Sequence, residues 1–286
     1  MNGSVMNSPS PLLSIIVPTY NRSARAIESV RRLAAASATI HREIIVVDQT
    51  RPPPPRPRDF AELGVRMVLL EQANIARARN AGALAAKGSV LLFLDDDIVL
   101  HESYLVFLAD MLSAIDENVI SGEIVEGFGD VSKNVDLIPM TWVSTANIIM
   151  ARDQFVKIGG FDENLYRFNE DAEFSHRALS SGLKIFKSPS LQVKHDHNPD
   201  GGVWRKGAVP EAAKALIYCD LYFARTIGAS MYDRFWMVAN RIRSEAYGNG
   251  RLRGGTRFSR LFFCLVAIPG ALLYSYKTPN LIKTPA

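Results

Sequence analysis

The sequence predicts an α/β fold: a mostly parallel central sheet with helices on both faces, then a helical, basic and apolar C-terminal region. Three observations predict it. Leu12–Val17, Ile44–Val47 and Val90–Leu94 are short runs, apolar but for Ser14, of the kind buried on both faces of a parallel sheet. Stretches with helical spacing separate them, giving the alternation of strand and helix that a parallel sheet requires. The third run enters three adjacent carboxylates, Asp95, Asp96 and Asp97, where an open α/β sheet places its ligand crevice.

In chain order, residues 1–11 are rich in Ser, Asn and Pro and read as a disordered lead-in. Pro18 is expected to stop the first strand, and Ser23 to cap a helix carrying Ile27, Val30, Leu33 and Ala34. The second strand ends at Asp48, and RPPPPRPR (51–58) reads as a stiff surface loop. Val65–Leu70 is a short third strand. Asn74–Ala86 is a helix stopped by Lys87-Gly88, and the acidic strand follows.

Tyr104–Ile115 reads as a helix, Val119–Glu126 and Thr141–Met150 as strands, and Gly159–Glu163 as a turn. Asn169 is expected to cap a helix through Ser181, ended by Gly182, with Glu170, Asp171 and Glu173 in its first turn. Leu183–Phe186 and Leu191–His197 are strand-like, and the period of two puts Leu191, Val193, His195 and His197 on one face. These elements divide the chain into an α/β domain over 12–209, with halves 12–100 and 101–209, and a helical region over 210–286.

At 286 residues, with 48% apolar and 22% charged residues, the chain can bury a large core. The net charge of +4 is unevenly spread: residues 241–260 hold six arginines against one acid, Glu245. That pattern suits a local anionic partner and not a nucleic-acid-binding protein. Cys219 and Cys264 have neither metal spacing nor a disulfide framework, so a reducing compartment is expected. With no secretory leader legible at the N-terminus, a cytoplasmic location is expected. Leu261–Leu273, interrupted by Pro269-Gly270, is too short for a simple transmembrane helix. Together with the preceding arginines it suits either an element lying in an anionic membrane interface, over 241–276, or a buried packing helix.

Three adjacent carboxylates cannot be buried unpaired and must meet a cation. In an extended segment Asp95 and Asp97 share a face and can both reach one ion, while Asp96 points away. Carboxylate oxygens suit Mg²⁺ or Mn²⁺, which bridges diphosphate oxygens.

SIIVPTYNR (14–22), IIVVDQ (44–49), NIARARNAGALAAKGSVLLFLDDD (74–97), GGFDE (159–163) and NEDAEF (169–174) together resemble a family 2 glycosyltransferase. The resemblance spans about residues 12–200 and implies the GT-A fold and a nucleotide-sugar donor, expected to be a UDP-sugar. It makes the α/β domain over 12–209 catalytic, with a nucleotide half over 12–100 and an acceptor half over 101–209. It implies that Pro18, Thr19, Tyr20 and Asn21 line the nucleotide, that Asp48 accepts a hydrogen bond from the base, and that Arg79 lies near the nucleotide. Arg77, two residues away on the same helix, points elsewhere. Asp95, Asp96 and Asp97 match the family's DxD-type motif. Asp95 and Asp97 would then hold Mn²⁺ or Mg²⁺, with Asp96 toward the ribose or sugar.

Glu170-Asp171 matches the family's ED motif. The resemblance makes Asp171 the base of an inverting transfer and Glu170 a positioning group, and the helix dipole would keep Asp171 ionised. Some relatives take a third metal ligand from a histidine at the position of His195, where His197 competes. His41, His101 and His176 match no motif.

The reaction so implied is hexosyl-type transfer to an acceptor hydroxyl, on a saccharide or lipid-linked saccharide in cell-surface polysaccharide synthesis, at the inner face of the membrane. Two rivals are a sugar nucleotidyltransferase, which would want a glycine-rich loop where VPTYNR has no glycine, and a non-catalytic nucleotide-sugar-binding module.

Overall fold

The computed structural model describes residues 13–37, 40–50, 57–112, 115, 117–131, 137–196, 209–247, 264–265 and 268–269. The expectations for residues 1–11, for most of the proline-rich stretch, for His197 and for most of 248–286 lie outside these.

Strands β1 (Leu13–Thr19), β2 (Arg42–Asp48), β3 (Arg66–Leu69) and β4 (Val90–Leu94) alternate with helices α1 (Ser23–Ala36), α2 (Pro57–Glu62) and α3 (Ile75–Ala85). Then come β5 (Ile98–Leu100), α4 (Tyr104–Met111), β6 (Asn118–Val125), β7 (Ile138–Met140), β8 (Asn147–Ala151), α5 (Arg152–Lys157), α6 (Glu170–Ser180) and β9 (Lys184–His195). Helices α7 (Val209–Thr226) and α8 (Met231–Tyr247) follow. The sheet runs β3-β2-β1-β4-β8-β6-β9-β5, with β7 on β9.

The period of two explains why Ile15–Val17, Ile44–Val47 and Val90–Leu94 are apolar on both faces. Leu13, Ile15, Val17, Ile44, Val46, Val90, Leu92 and Leu94 join the core under α1 and α4. Ile16, Ile45, Val47, Leu91 and Phe93 join the opposite core, with residues of α3, α5 and α6. Helix α1 meets the first core through Ala26, Val30 and Leu33, one stripe at helical spacing. Helix α3 lies so close to β1 that a side chain on Gly82 would collide with Ile16 Cγ2. A third cluster joins Leu165 and Phe168 to α7 and to Val238 of α8.

Several expectations need correction. The sheet is mixed: β1–β2, β1–β4, β2–β3 and β6–β9 are parallel, whereas β4–β8, β5–β9, β6–β8 and β7–β9 are antiparallel. Pro18 does not end β1, which pairs with β2 through Thr19. The β4 partner stops at Ile16, and Pro is tolerated where a strand has one neighbour left. The N-cap of α1 is Arg22 instead of Ser23. The end of the proline-rich stretch opens α2 with Pro57 in its first turn, where the missing N–H costs nothing.

Thr141–Ala146 is not strand. The two strand-like segments after Gly182 form the single strand β9, whose partner β6 is irregular at Gly122/Glu123. Asn169 occupies the N-cap of α6 in a left-handed conformation (φ 63°), but its side chain does not cap the helix. In the tail, Cys264 is buried in the α7 cluster with Ile268 packed on it, as a packing element would be. Among the described residues no helix is long and apolar enough to cross a membrane.

Candidate active site

The strand directions bring the carboxyl ends of β1, β2, β4 and β9 to one edge of the sheet, and the start of α6 lies there too. Asp95–Asp97 form the turn between β4 and β5. Because this is a turn and not extended chain, the three carboxylates part company.

Asp96, expected to face the ribose or sugar, is 1% exposed. It accepts a hydrogen bond from Thr19 Oγ1 (2.6 Å) and an ion pair from Arg22 (2.9 Å), while Ser29 Oγ donates to its carbonyl (2.8 Å). Burial pushes its carboxyl up to about 7, against the opposing pull of Arg22 and Thr19. Asp97 pairs with Arg22 (2.9 Å) and contacts His195 Nδ1 (3.2 Å). Burial alone would raise Asp97, but the His195 hydrogen bond and the Arg22 charge prevail and hold it at about 2. His195 is raised by that same hydrogen bond. Its position follows from strand register, since Ile98 opposes His195 and the Asp196 N–H donates to the Asp97 carbonyl (2.8 Å).

Arg79 is 2% exposed and bridges two carboxylates, Asp95 at 3.0 Å and Glu170 at 3.1 Å. Thr145 Oγ1 also donates to Glu170 (3.2 Å). Burial first, and then the neighbouring charge of Asp171, push Glu170 up to about 7 against Arg79. Asp171 is partly buried on the first turn of α6; its Oδ1 accepts the Ala172 N–H (2.8 Å), and Ser175 donates to its carbonyl (2.7 Å). Asn169 donates to Asp220 of α7 (2.7 Å), and Arg241 of α8 closes on both oxygens of Asp220 (2.8 and 3.1 Å).

At the β1–β2 end, Pro18 and Thr19 are buried, Tyr20 is half-buried and Asn21 is exposed. The Asn21 N–H donates to Thr50 Oγ1 (2.8 Å), and the Thr50 N–H to Asp48 Oδ1 (2.7 Å), so buried Asp48 also organises its own loop. Arg77 pairs with Glu163 (2.8 Å), away from Arg79. His101 accepts from the Ser103 N–H (3.2 Å), and His176 is exposed.

Arg22, Thr145, Asp220 and Asn80 have no expectation attached, yet each organises the site. Asn80 clamps both backbone groups of Phe161 at 2.8 Å. The demand that three carboxylates meet a cation was sufficient to search for arginines as well as metals, and PTYNR contained one.

Among the described residues no three His, Cys, Asp or Glu side chains gather to hold a metal ion. Asp95, expected as a ligand with Asp97 and His195, is bonded to Arg79. Of the expected ligands Asp97 and His195 are in contact, but Arg22 engages one Asp97 oxygen and His195 the other, so a divalent cation held there would have to displace at least one of these contacts. One carboxylate and one imidazole suffice where diphosphate and water fill the other positions.

Carboxylates and arginines gathered beyond the strand ends of an α/β sheet lie where such folds bind their ligands. The pattern of Glycosyl transferase family 2 matches residues 14–175, more than half of the chain, which therefore belongs to that family. The chain is 24% identical over 294 residues to validoxylamine A glucosyltransferase of Streptomyces hygroscopicus subsp. jinggangensis, covering 85% of this chain and 67% of the relative. Its fold resembles that of S. aureus TarS (TM-score 0.56, 17% identity, 84% of this chain and 44% of that one). It also resembles GalNAc-T7, solved with UDP, GalNAc and Mn²⁺ (TM-score 0.54, 15% identity, 93% and 57%). The GT-A fold expected from the sequence is thus present, and the chain spans about half the length of these two solved relatives.

Proposed function

We propose that the protein is an inverting, metal-dependent hexosyltransferase that moves a sugar from a nucleotide-sugar, a UDP-sugar by preference, to an acceptor hydroxyl. The observation that carries this reading is Arg79, which joins Asp95 at the donor end of the sheet to Glu170 beside Asp171. A donor motif and a candidate base are thereby held in one site.

Pro18, Thr19, Tyr20, Asn21 and Asp48 border the nucleotide, with Asp48 toward the base. Asp97 and His195 would hold Mn²⁺ or Mg²⁺, which when bound offsets charge on the departing diphosphate. Arg22 and Arg79 each keep a buried Nε without a hydrogen-bond partner, unspent donor capacity that suits a nearby polyanion. Asp171 takes the proton of the acceptor hydroxyl. That oxygen attacks the anomeric carbon, the bond from this carbon to the donor phosphate breaks, and the nucleoside diphosphate leaves with the bonding pair. The configuration inverts. Glu170, held by Arg79 and Thr145, positions the acceptor or the base.

The acceptor is a saccharide or lipid-linked saccharide of cell-surface polysaccharide synthesis. Near the start of α6, Tyr166 stacks on buried Tyr218 (centroids 6.0 Å apart) and is itself 37% exposed, an aromatic group suited to a sugar ring. The basic and apolar segment 241–276 gives peripheral contact with the inner face of an anionic membrane.

Asp171→Asn tests the assignment. The variant should bind UDP with Mn²⁺ as the parent does and lose transfer by about 10²-fold or more; full activity would overturn it. UDP released in step with acceptor modification, without pyrophosphate, separates transfer from nucleotidyl chemistry and from silent binding.

A further inference from the structure

Helix α8 carries one apolar stripe, Met231, Phe235, Val238 and Ile242, and the fold covers only its C-terminal half. Val238 is buried and Ile242 packs beside it against the α7 cluster. At its N-terminal end Met231 and Phe235, with Tyr232 and Trp236 flanking them, are 63%, 66%, 69% and 46% exposed. Isolated exposed apolar residues are ordinary, but four large ones within six positions form a patch that asks for an occupant. The aromatic rings support one another, with Trp236 lying 6.0 Å from Tyr232 and 5.8 Å from Phe235.

The charges nearby point to the occupant. Arg243 is exposed and lies seven residues beyond Trp236, on the same face by helical period. In the sequence Arg251, Arg253, Arg257 and Arg260 follow with no acid among them. The acid of the first turn, Asp233, is engaged by Ser230 (2.6 Å). An apolar face carrying Trp and Tyr, with Arg243 beside it and an arginine-rich sequence following the helix, has the composition of a helix lying in an anionic bilayer interface. A second copy of the chain fits less well, because pairing these faces would bring Arg243 of each copy to one interface.

We infer that the Met231–Trp236 face of α8 docks on a bilayer bearing anionic headgroups and presents the active site to a lipid-linked acceptor. This deepens the proposed reading and rests on it for the acceptor. Arg241 ties the same helix through Asp220 to Asn169, the residue before Glu170, so a docked α8 holds the candidate base helix at the membrane surface.

The test is sedimentation of the full chain with vesicles of phosphatidylcholine alone, or with roughly a third phosphatidylglycerol. Binding should require the anionic lipid and weaken in high salt. Phe235→Ser/Trp236→Ser should lower it by about tenfold or more, and Arg243→Glu should also lower it. Should the double variant prove unfolded by circular dichroism, Tyr232→Ser serves in its place. Equal sedimentation with both vesicles, no sedimentation, or variants that bind as the parent does would overturn the inference. So would a concentration-dependent dimer that the variants abolish. Loss of the transferase reading would instead show as no UDP release with any acceptor, a result independent of vesicle binding.

Discussion

The guanidinium of Arg22 lies 2.9 Å from the carboxylate of Asp96, a side chain almost wholly removed from solvent. A paired buried charge tolerates loss of its partner badly, because the survivor keeps its desolvation cost without compensation. Arg22→Met should therefore destabilise the protein by about 3–5 kcal/mol in chemical denaturation above neutral pH. The loss should shrink at pH 5, where Asp96 can hold a proton instead, and Arg22→Met/Asp96→Asn should recover much of it. Equal loss at both pH values would show that packing and not charge is responsible.

Glu170 supplies a pH test with a definite sign. Its carboxyl is raised from an ordinary 4.5 to about 7, so between these values the folded chain holds a proton that the unfolded chain has released. Stability should then fall as pH rises through that window, by on the order of 1 kcal/mol per unit, and level off above it. Glu170→Gln should flatten part of this slope. Asp96, raised over the same range, accounts for another part, and His195, raised above its ordinary 6.5, adds a fall only above that value, so the slope below pH 6.5 should vanish in Asp96→Asn/Glu170→Gln.

Asp220 predicts a positioning effect. It is buried, carries both Arg241 nitrogens, and holds Asn169 in its left-handed conformation one residue before Glu170. Asp220→Ala should lower kcat by about tenfold or more with little change in donor affinity, since reaction geometry is sensitive to small displacements. Asp220→Asn, which can still accept from Asn169, should restore part of it. A fall in UDP affinity equal to the fall in kcat would indicate general loss of structure.

Asp97 and His195 predict a cation site of limited affinity. Chelation should abolish transfer, and added Mn²⁺ or Mg²⁺ should restore it. His195→Ala should weaken metal binding by about tenfold or more, because loss of one of two protein ligands leaves water in its place. Calorimetry with Mn²⁺ and UDP reads this directly. Unchanged affinity would remove His195 from the site.

The sheet strands were legible because Leu13–Val17, Ile44–Val47 and Val90–Leu94 are buried on two faces and so are apolar but for Ser14. The insertion of antiparallel β8 between β4 and β6 was not legible, because hydrophobic period encodes which faces are buried and says nothing about strand neighbours. The edge holding the site was legible from the Asp triplet and the ED pair. The separate environments of Asp95, Asp96 and Asp97 were not, since alternation holds for extended chain and these residues turn. Their counterions, Arg22 and Arg79, lie far off in sequence, and only the folded arrangement of β1, α3 and β4 brings them together. Asn169 looked like an ordinary helix cap, and nothing local signalled Asp220 fifty-one residues away.

The seating of Gly82 against Ile16 limits how this site can move. With only a hydrogen atom between them, α3 cannot slide over β1 without leaving a void or a clash. The wall bearing Arg79 and the wall bearing Thr19 and Arg22 therefore behave as one stiff bracket. Adjustment to incoming substrates falls to the opposite jaw, the start of α6 and the α7–α8 pair. Crystal forms with and without substrates should differ there while the bracket superimposes.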